Sequence, residues 1–140
     1  MKQTIIIFLS IIILSATTYA QQDTTKNIQS AVTEAETWLA LIDAGEYGKT
    51  WDTAAKHLQN AIAKTPWEKT LAKILAPFGK IKKRELTLSK YRNSLPGVID
   101  GDYVVLKYKT KFEKKAHATE TVTLMKEKDN KWYVAGYFIK

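Results

Sequence analysis

Glu120 is the residue whose chemistry conflicts most clearly with its surroundings. It lies in a run from about Ala116 to Met125 that alternates as a β-strand does. The other residues on its side of the run are apolar: Ala118, Val122 and Leu124. A carboxylate in such a place is costly to bury unless it is hydrogen-bonded or paired with a positive charge. Glu120 is therefore either a pocket acid available for proton transfer or a structural group that pairs with Arg84 or bonds to Tyr108.

A pocket acid needs walls and partners. We define the candidate pocket as Glu120, Arg84, Tyr108 and Trp51. Asp43 and Asp52 could add a second carboxylate, but both are expected at helix ends or on solvated faces. Aromatic residues such as Trp51 and Tyr108 could line a ligand cavity, but at periodic positions they are more typical of a hydrophobic core. The sequence alone leaves both interpretations of Glu120 open.

The rest of the sequence offers no catalytic or metal-binding pattern. It contains no cysteine, which excludes disulfides, Cys-ligated zinc, iron–sulfur clusters and cysteine nucleophiles. Its two histidines, His57 and His117, fit no ligand spacing and are expected on the surface. Ser94 lacks the G-x-S-x-G surroundings of a nucleophile elbow. We predict no catalytic residue, no metal and no cofactor.

The chain is strongly basic, with 22 Lys and Arg against 14 Asp and Glu and a net charge of +8. The candidate basic surface comprises Lys82, Lys107, Lys109 and Lys111, interleaved with Tyr91 and Tyr103. The last three lysines alternate with apolar residues, which places them on the outer face of a strand. Such a surface suits an anionic glycan or a lipid head group. The alternative is a solvated sheet face rich in lysine.

The first residues indicate export. Lys2 precedes an apolar run from Ile5 to Leu14, and Ala20 supplies a small residue at the expected cleavage position. This pattern predicts a signal peptide over residues 1–20. A transmembrane anchor is the competing interpretation, but the apolar run is about half of the ~20 residues that span a bilayer. We expect a periplasmic or secreted mature domain, residues 21–140, with no transmembrane segment and no nucleic-acid partner.

The first part of the mature chain has helical periodicity. Apolar residues spaced by three and four predict a first helix over Asn27–Ala44, capped by Thr24 or Thr25. A second helix is predicted over Gly48–Ile62. Thr65-Pro66-Trp67-Glu68 predicts a capping box at the start of a third helix, which Pro77 and Gly79 end.

After Gly79 the apolar period changes to two, which predicts four strands. Leu86 and Leu88 mark the first strand, Val104 to Phe112 the second and Ala116 to Met125 the third. The fourth runs from Trp132 to Ile139. Its predicted faces are Trp132, Val134, Gly136 and Phe138 against Tyr133, Ala135 and Tyr137.

Helices followed by strands at hairpin spacing favour an α+β fold with three N-terminal helices packed on a curved four-stranded antiparallel sheet. This arrangement resembles the cystatin-like and nuclear-transport-factor-2-like (NTF2-like) architectures.

One set of residues is spread over nearly the whole mature chain: Trp38-Leu39, Ile42-Asp43, Gly45, Tyr47, Trp51, Trp67, Pro77, Gly79, Arg84, Leu95-Pro96-Gly97, Asp100-Gly101, Tyr103-Val104-Val105, Tyr108, Phe112, Glu120, Val122, Trp132 and Gly136-Tyr137. In order and spacing, this set resembles a bacterial secreted family, domain of unknown function 4019. The basic run Lys80–Lys83 departs from the pattern expected of the family. The resemblance implies a fold and an export route, and it transfers no catalytic residue.

These observations favour a non-catalytic module that binds a protein, a glycan or a small molecule. One alternative is a small enzyme that uses Glu120 in an NTF2-like cavity. Another is a cystatin-like protease inhibitor whose wedge would be Leu95-Pro96-Gly97.

Overall fold

A computed structural model describes the backbone of the protein from residue 5 and its side chains from residue 19. Over this part, four α-helices and a short 3₁₀ helix (Ala76–Phe78) precede four β-strands. The helices are α1 (Ile5–Asp43), α2 (Tyr47–Asp52), α3 (Lys56–Ala61) and α4 (Lys64–Leu75). The strands are β1 (Ile81–Arg92), β2 (Tyr103–Phe112), β3 (Ala118–Lys126) and β4 (Trp132–Ile139). The α+β class is confirmed.

The predicted signal peptide lies almost entirely outside the described side chains, so it stays a prediction. Where side chains are described, no helix combines the length and apolar character needed to cross a bilayer.

Helix α1 ends where the sequence predicts and begins far earlier. Gly45 follows it with φ +71°, and Gly45 and Glu46 donate to the carbonyls of Ile42 and Leu41, which is the Schellman pattern. The predicted caps are wrong, because the hydroxyls of Thr24 and Thr25 donate to carbonyls four residues earlier inside the helix. No Gly or Pro occurs between residues 5 and 43 to stop the helix from extending.

The second predicted helix is two helices, so the prediction of three helices is wrong. The chain leaves the helical path after Asp52, and Ala55 adopts φ −57° and ψ 146°. The Ala55 N–H donates to the carbonyl of Val134 in β4 at 2.8 Å. This long-range bond to the sheet separates α2 from α3, and the local apolar pattern could not reveal it.

Helix α4 carries the predicted apolar stripe, since Trp67, Leu71 and Leu75 are buried. The predicted capping box is absent: the helix begins at Lys64 after Ala63, and no side chain caps it. Thr65 therefore lies inside the first turn.

The sheet is an antiparallel meander in the order β1-β2-β3-β4. In β2 and β3 the predicted faces are confirmed, because Leu106, Tyr108, Ala118, Val122 and Leu124 are all buried. Tyr108 lies opposite Glu120, so both belong to this inner face, which packs in the core with α1 and α4.

Irregular pairing reverses two predicted faces. In β4, Gly136 pairs with Thr123 while Val134 pairs with Leu124, so Ala135 is an extra residue between them. Tyr137 then faces the core and Phe138 is 60% exposed, the opposite of the prediction. In β1 a similar shift separates Leu86 and Leu88, and Leu88 lies opposite the outward Lys107. The two leucines do not share a face.

Candidate functional site

Glu120 has no solvent-exposed surface and is paired with Arg84. The Arg84 Nε donates to Oε2 at 2.6 Å, and Nη2 donates to Oε1 at 3.1 Å. A two-point guanidinium–carboxylate contact is among the stronger hydrogen-bonded pairs in proteins. Of the two structural interpretations of Glu120, the Arg84 pair is formed.

Two hydroxyl groups complete the surroundings of the Glu120 carboxylate. Thr110 in β2 donates to Oε2 at 2.5 Å, and Tyr137 in β4 donates to Oε1 at 2.7 Å. Each carboxylate oxygen therefore accepts two hydrogen bonds, and the donors come from β1, β2 and β4. The charge is buried without being left unsatisfied.

Arg84 also joins the sheet to helix α1. Its Nη1 and Nη2 donate to the carboxylate of Asp43, the last residue of α1, at 2.7 and 2.8 Å. A carboxylate at a helix C-terminus is unfavourable for the helix dipole, and the guanidinium offsets that cost. Burial alone would lower the pKa of Arg84, but its hydrogen bonds to Asp43 and Glu120 and their charges raise it above its ordinary value.

We call Asp43, Arg84, Thr110, Glu120 and Tyr137 the buried network; Glu120 and Thr110 are buried at its centre, and Asp43 lies at its exposed edge. Burial, the charge of Glu120 and their hydrogen bond raise the pKa of Tyr137, so its hydroxyl stays a donor at neutral pH. Each polar group in the network is committed to another member. The arrangement holds α1 against the sheet and leaves Glu120 no contact with solvent.

The other two candidate pocket residues lie outside the buried network. Tyr108 is opposite Glu120 in the register, but within the described chain its buried hydroxyl has no hydrogen-bond partner. Burial raises the pKa of Tyr108 to about 12. Trp51 belongs to α2, and its indole N–H donates to the carbonyl of Ile62 at 2.8 Å. Of the four candidate pocket residues, Arg84 and Glu120 are hydrogen-bonded to each other.

Surface clefts of about 500 and 440 Å³ lie at the helical end of the molecule. They meet around Tyr47 and Ala72, and Asp43 lies at the edge of the smaller one. Glu120 lines neither. In the part of the chain with described side chains, no three potential ligand residues gather to hold a metal ion.

Three of the four predicted lysines lie together on the outer face of the sheet. Lys107, Lys109 and Lys111 are exposed and alternate with the buried residues of β2. We call these three residues the lysine column. In β3, Thr121 lies opposite Lys107 and Thr119 lies opposite Lys109.

Two parts of the predicted basic surface require correction. Tyr91 lies opposite Val104 on the inner face, and its hydroxyl donates to Asp102 at 2.5 Å. Tyr103 is 3% exposed, and its hydroxyl donates to the carbonyl of Ile99. Neither tyrosine interleaves with the lysines. Lys82 is exposed but falls at the pairing irregularity between Ile81 and Lys83, next to the lysine column rather than in register with it.

A small cleft of about 190 Å³ adjoins the lysine column. Its walls are Lys83, Glu85, Lys109, Thr110, Lys111, Ala116 and His117. His57 and His117 are both exposed, as predicted.

Sequence analysis does not identify the roles of three members of the buried network. Asp43 lies at a helix end, as predicted, but its pairing with Arg84 is not predicted, and Thr110 is not singled out. Tyr137 was assigned to the opposite face. The sequence signal that could have revealed the role of Asp43 is its position at the C-terminus of a predicted helix, where a carboxylate is unfavourable unless a cation lies nearby.

A family model described as "Protein of unknown function (DUF4019)" matches residues 34–137. This range contains all members of the buried network and the lysine column. The resemblance noted in the sequence is therefore confirmed at the level of the family. A comparison with curated proteins found no match.

Proposed function

The chain belongs to the DUF4019 family, and we propose from its own geometry that it is a non-catalytic binding module acting outside the cytoplasm. The lysine column carries this proposal. In the described part of the chain, Lys107, Lys109 and Lys111 form no salt bridge, whereas the carboxylate of Glu120 is fully paired. The buried, fully paired carboxylate of Glu120 supports a structural role for that residue. The unpaired, exposed lysine column supports a role in binding an anionic ligand.

The ligand class that suits the outer face is an anionic glycan. Thr119 and Thr121 are half-buried and place hydroxyls beside the lysine column. Phe138 lies opposite Thr121 and is 60% exposed. Cations can bind acidic groups, hydroxyls can bond to sugar hydroxyls, and an aromatic ring can pack on a sugar. Side by side, these groups suit an extended, acidic carbohydrate.

The export route and the finer fold belong to the same proposal. We propose that residues 1–20 are a signal peptide and that a long helix on a four-stranded meander is a cystatin-like or NTF2-like arrangement. Sequencing the N-terminus of the protein from its native host should find Gln21 or a near neighbour. An intact Met1 in the membrane fraction would contradict export.

The binding proposal is tested with two triple variants of equal net charge. Lys107→Gln/Lys109→Gln/Lys111→Gln removes the lysine column, and Lys49→Gln/Lys69→Gln/Lys73→Gln removes three exposed lysines from the helices. Heparin and polygalacturonate serve as acidic probes, and dextran serves as the neutral control. We expect the first triple to weaken binding at least tenfold and to flatten its salt dependence.

The control triple should bind as the unmodified protein does. Equal losses in both triples would mean that net charge alone drives binding, and that result would overturn the assignment of the site.

Exposed apolar residues favour a second candidate function. Val98 is 37% exposed and Ile99 is 60% exposed in the loop that follows Leu95-Pro96-Gly97. The hydroxyl of Tyr103 anchors this loop by its bond to the Ile99 carbonyl at 2.6 Å. An anchored loop with an apolar tip is what a cystatin-like inhibitor wedge requires. Inhibition of a papain-type protease that Ile99→Asp abolishes would support this function, and absence of inhibition would reject it.

A further inference from the structure

The small cleft beside the lysine column contains an unfavourable pairing of charges. Lys83 in β1 lies directly opposite Lys111 in β2. Like charges at opposed positions of an antiparallel pair destabilise the sheet. Both side chains line the same cleft of about 190 Å³. An anion between them would convert the repulsion into attraction.

The remaining walls of the cleft add donors. Lys109 and His117 also line it, and the one carboxylate in its lining is that of Glu85. The Lys83 Nζ is 3.6 Å from Glu85, and both side chains are largely exposed, so this pair is weak. Along the described chain, the backbone amides of Ala116 and His117 donate to no backbone carbonyl.

We propose that this cleft is a subsite for a tetrahedral oxyanion, a phosphate or sulfate group. Its lysines come from β1 and β2, and the turn between β2 and β3 adds His117 to the lining. Lysine ammonium groups bind phosphate as point charges and need no planar, two-point geometry. The cleft is of a size for one such group, and because Lys109 and Lys111 of the lysine column line it, the rest of the ligand would continue toward Lys107.

The source of the oxyanion rests on the proposed function: a sulfated or phosphorylated glycan. The subsite itself does not, because inorganic phosphate and sulfate can test it alone. Amide and imidazole chemical shifts of the protein are followed during titration with phosphate, with sulfate and with chloride at matched ionic strength.

We expect saturable shifts at Ala116 and His117 with phosphate and sulfate, and small, linear shifts with chloride. Lys111→Gln should weaken the apparent affinity at least tenfold. Lys73→Gln, on helix α4 and outside both the cleft and the lysine column, should leave it within twofold. Equal shifts for all three anions, or equal losses in the two variants, would overturn the subsite.

A second arm separates the sources and the two proposals. Heparin is compared with polygalacturonate, which carries carboxylates alone, and with vesicles containing phosphatidylglycerol. Stronger binding of heparin that depends on Lys83 and Lys111 supports a sulfated glycan. Preference for the vesicles would overturn the glycan source. Phosphate binding without polymer binding would support the subsite and reject the proposed function. Polymer binding that requires the lysine column but not Lys83 would support the proposed function and reject the subsite.

Discussion

The two faces of the sheet treat charge in opposite ways. On the inner face, Glu120 is fully buried and Arg84 is shared between it and Asp43. On the outer face, the lysine column is exposed and, over the described residues, forms no salt bridge. Thr110 and Lys111 are adjacent in sequence, yet Thr110 is buried on the inner face and Lys111 is exposed on the outer face. The charges of the inner face are paired with one another, whereas those of the lysine column are exposed to solvent.

The difference follows from the cost of removing charge from water. A buried carboxylate needs hydrogen-bond partners for both oxygens. Removing one partner of a buried ion pair lowers stability more than replacing the whole pair with apolar residues does. An exposed lysine carries no such cost, so its loss hardly affects stability. A charge-removing substitution should therefore lower stability on the inner face and lower ligand binding on the outer face.

The largest effect is expected for Arg84→Met. It leaves Glu120 buried without its cation and Asp43 at a helix C-terminus without one, and the free energy of unfolding should fall by about 3–5 kcal/mol. Lys109→Met removes the same charge from the outer face and should stay within about 0.5 kcal/mol. Urea unfolding of both variants measures the two free energies of unfolding. Similar losses in the two variants would contradict the difference between the inner and outer faces.

Alkaline pH should weaken the inner face next. The pKa of Tyr108 is raised to about 12 and that of Tyr137 is also raised, whereas an unfolded tyrosine titrates near 10. Above pH 10 the unfolded chain releases these protons first, so the folded chain holds more protons and stability falls as pH rises. The stability is fully present below pH 10, and for Tyr108 about 2–3 kcal/mol is lost by pH 12.

Thermal melts between pH 8 and pH 12 test this dependence. In Tyr108→Phe the alkaline loss should be smaller than in the unmodified protein. An unchanged pH profile in that variant would contradict the contribution of Tyr108.

Neighbouring residues in β4 sharpen the comparison. Tyr137→Phe removes a hydroxyl that donates to a buried carboxylate, and stability should fall by about 2 kcal/mol. Phe138→Ala affects a side chain that is 60% exposed and should cost less than about 1 kcal/mol. Chemical unfolding of the two variants compares their stability losses. A larger loss for Phe138→Ala than for Tyr137→Phe would favour the strand faces that simple alternation predicts.

The smallest effect is expected for Tyr108→Phe at neutral pH. The Tyr108 hydroxyl is buried without a hydrogen-bond partner among the described residues, so its removal takes away a desolvated group that gains nothing. Stability should stay within about 0.5 kcal/mol or rise. A clear fall would reveal a partner for this hydroxyl.

The sequence predicted features that depend on local pattern. The alternation of β2 and β3 placed Glu120 inside and the lysine column outside, and Gly45 marked the end of α1. Arg84 was correctly considered as a partner of Glu120, because a buried carboxylate requires a cation.

The missed features depend on contacts between distant segments. The break before α3 follows from the bond between Ala55 and Val134. The extra residue Ala135 rotates Tyr137 into the buried network, and a period-two pattern carries no sign of it. The capping box failed for a local reason: the helix begins one residue before Thr65, at Lys64, so Thr65 lies inside the first turn and cannot cap it.

Glu120→Gln tests the central claim most directly. The amide keeps the shape of the carboxylate but removes its charge and turns one donor toward Arg84. If Glu120 is structural, urea unfolding at pH 7 should show a loss of about 1–3 kcal/mol relative to the unmodified protein. Equal or higher stability for Glu120→Gln would contradict the account. It would mean that the charge of Glu120 lowers the stability of the fold, as charges retained at functional sites often do.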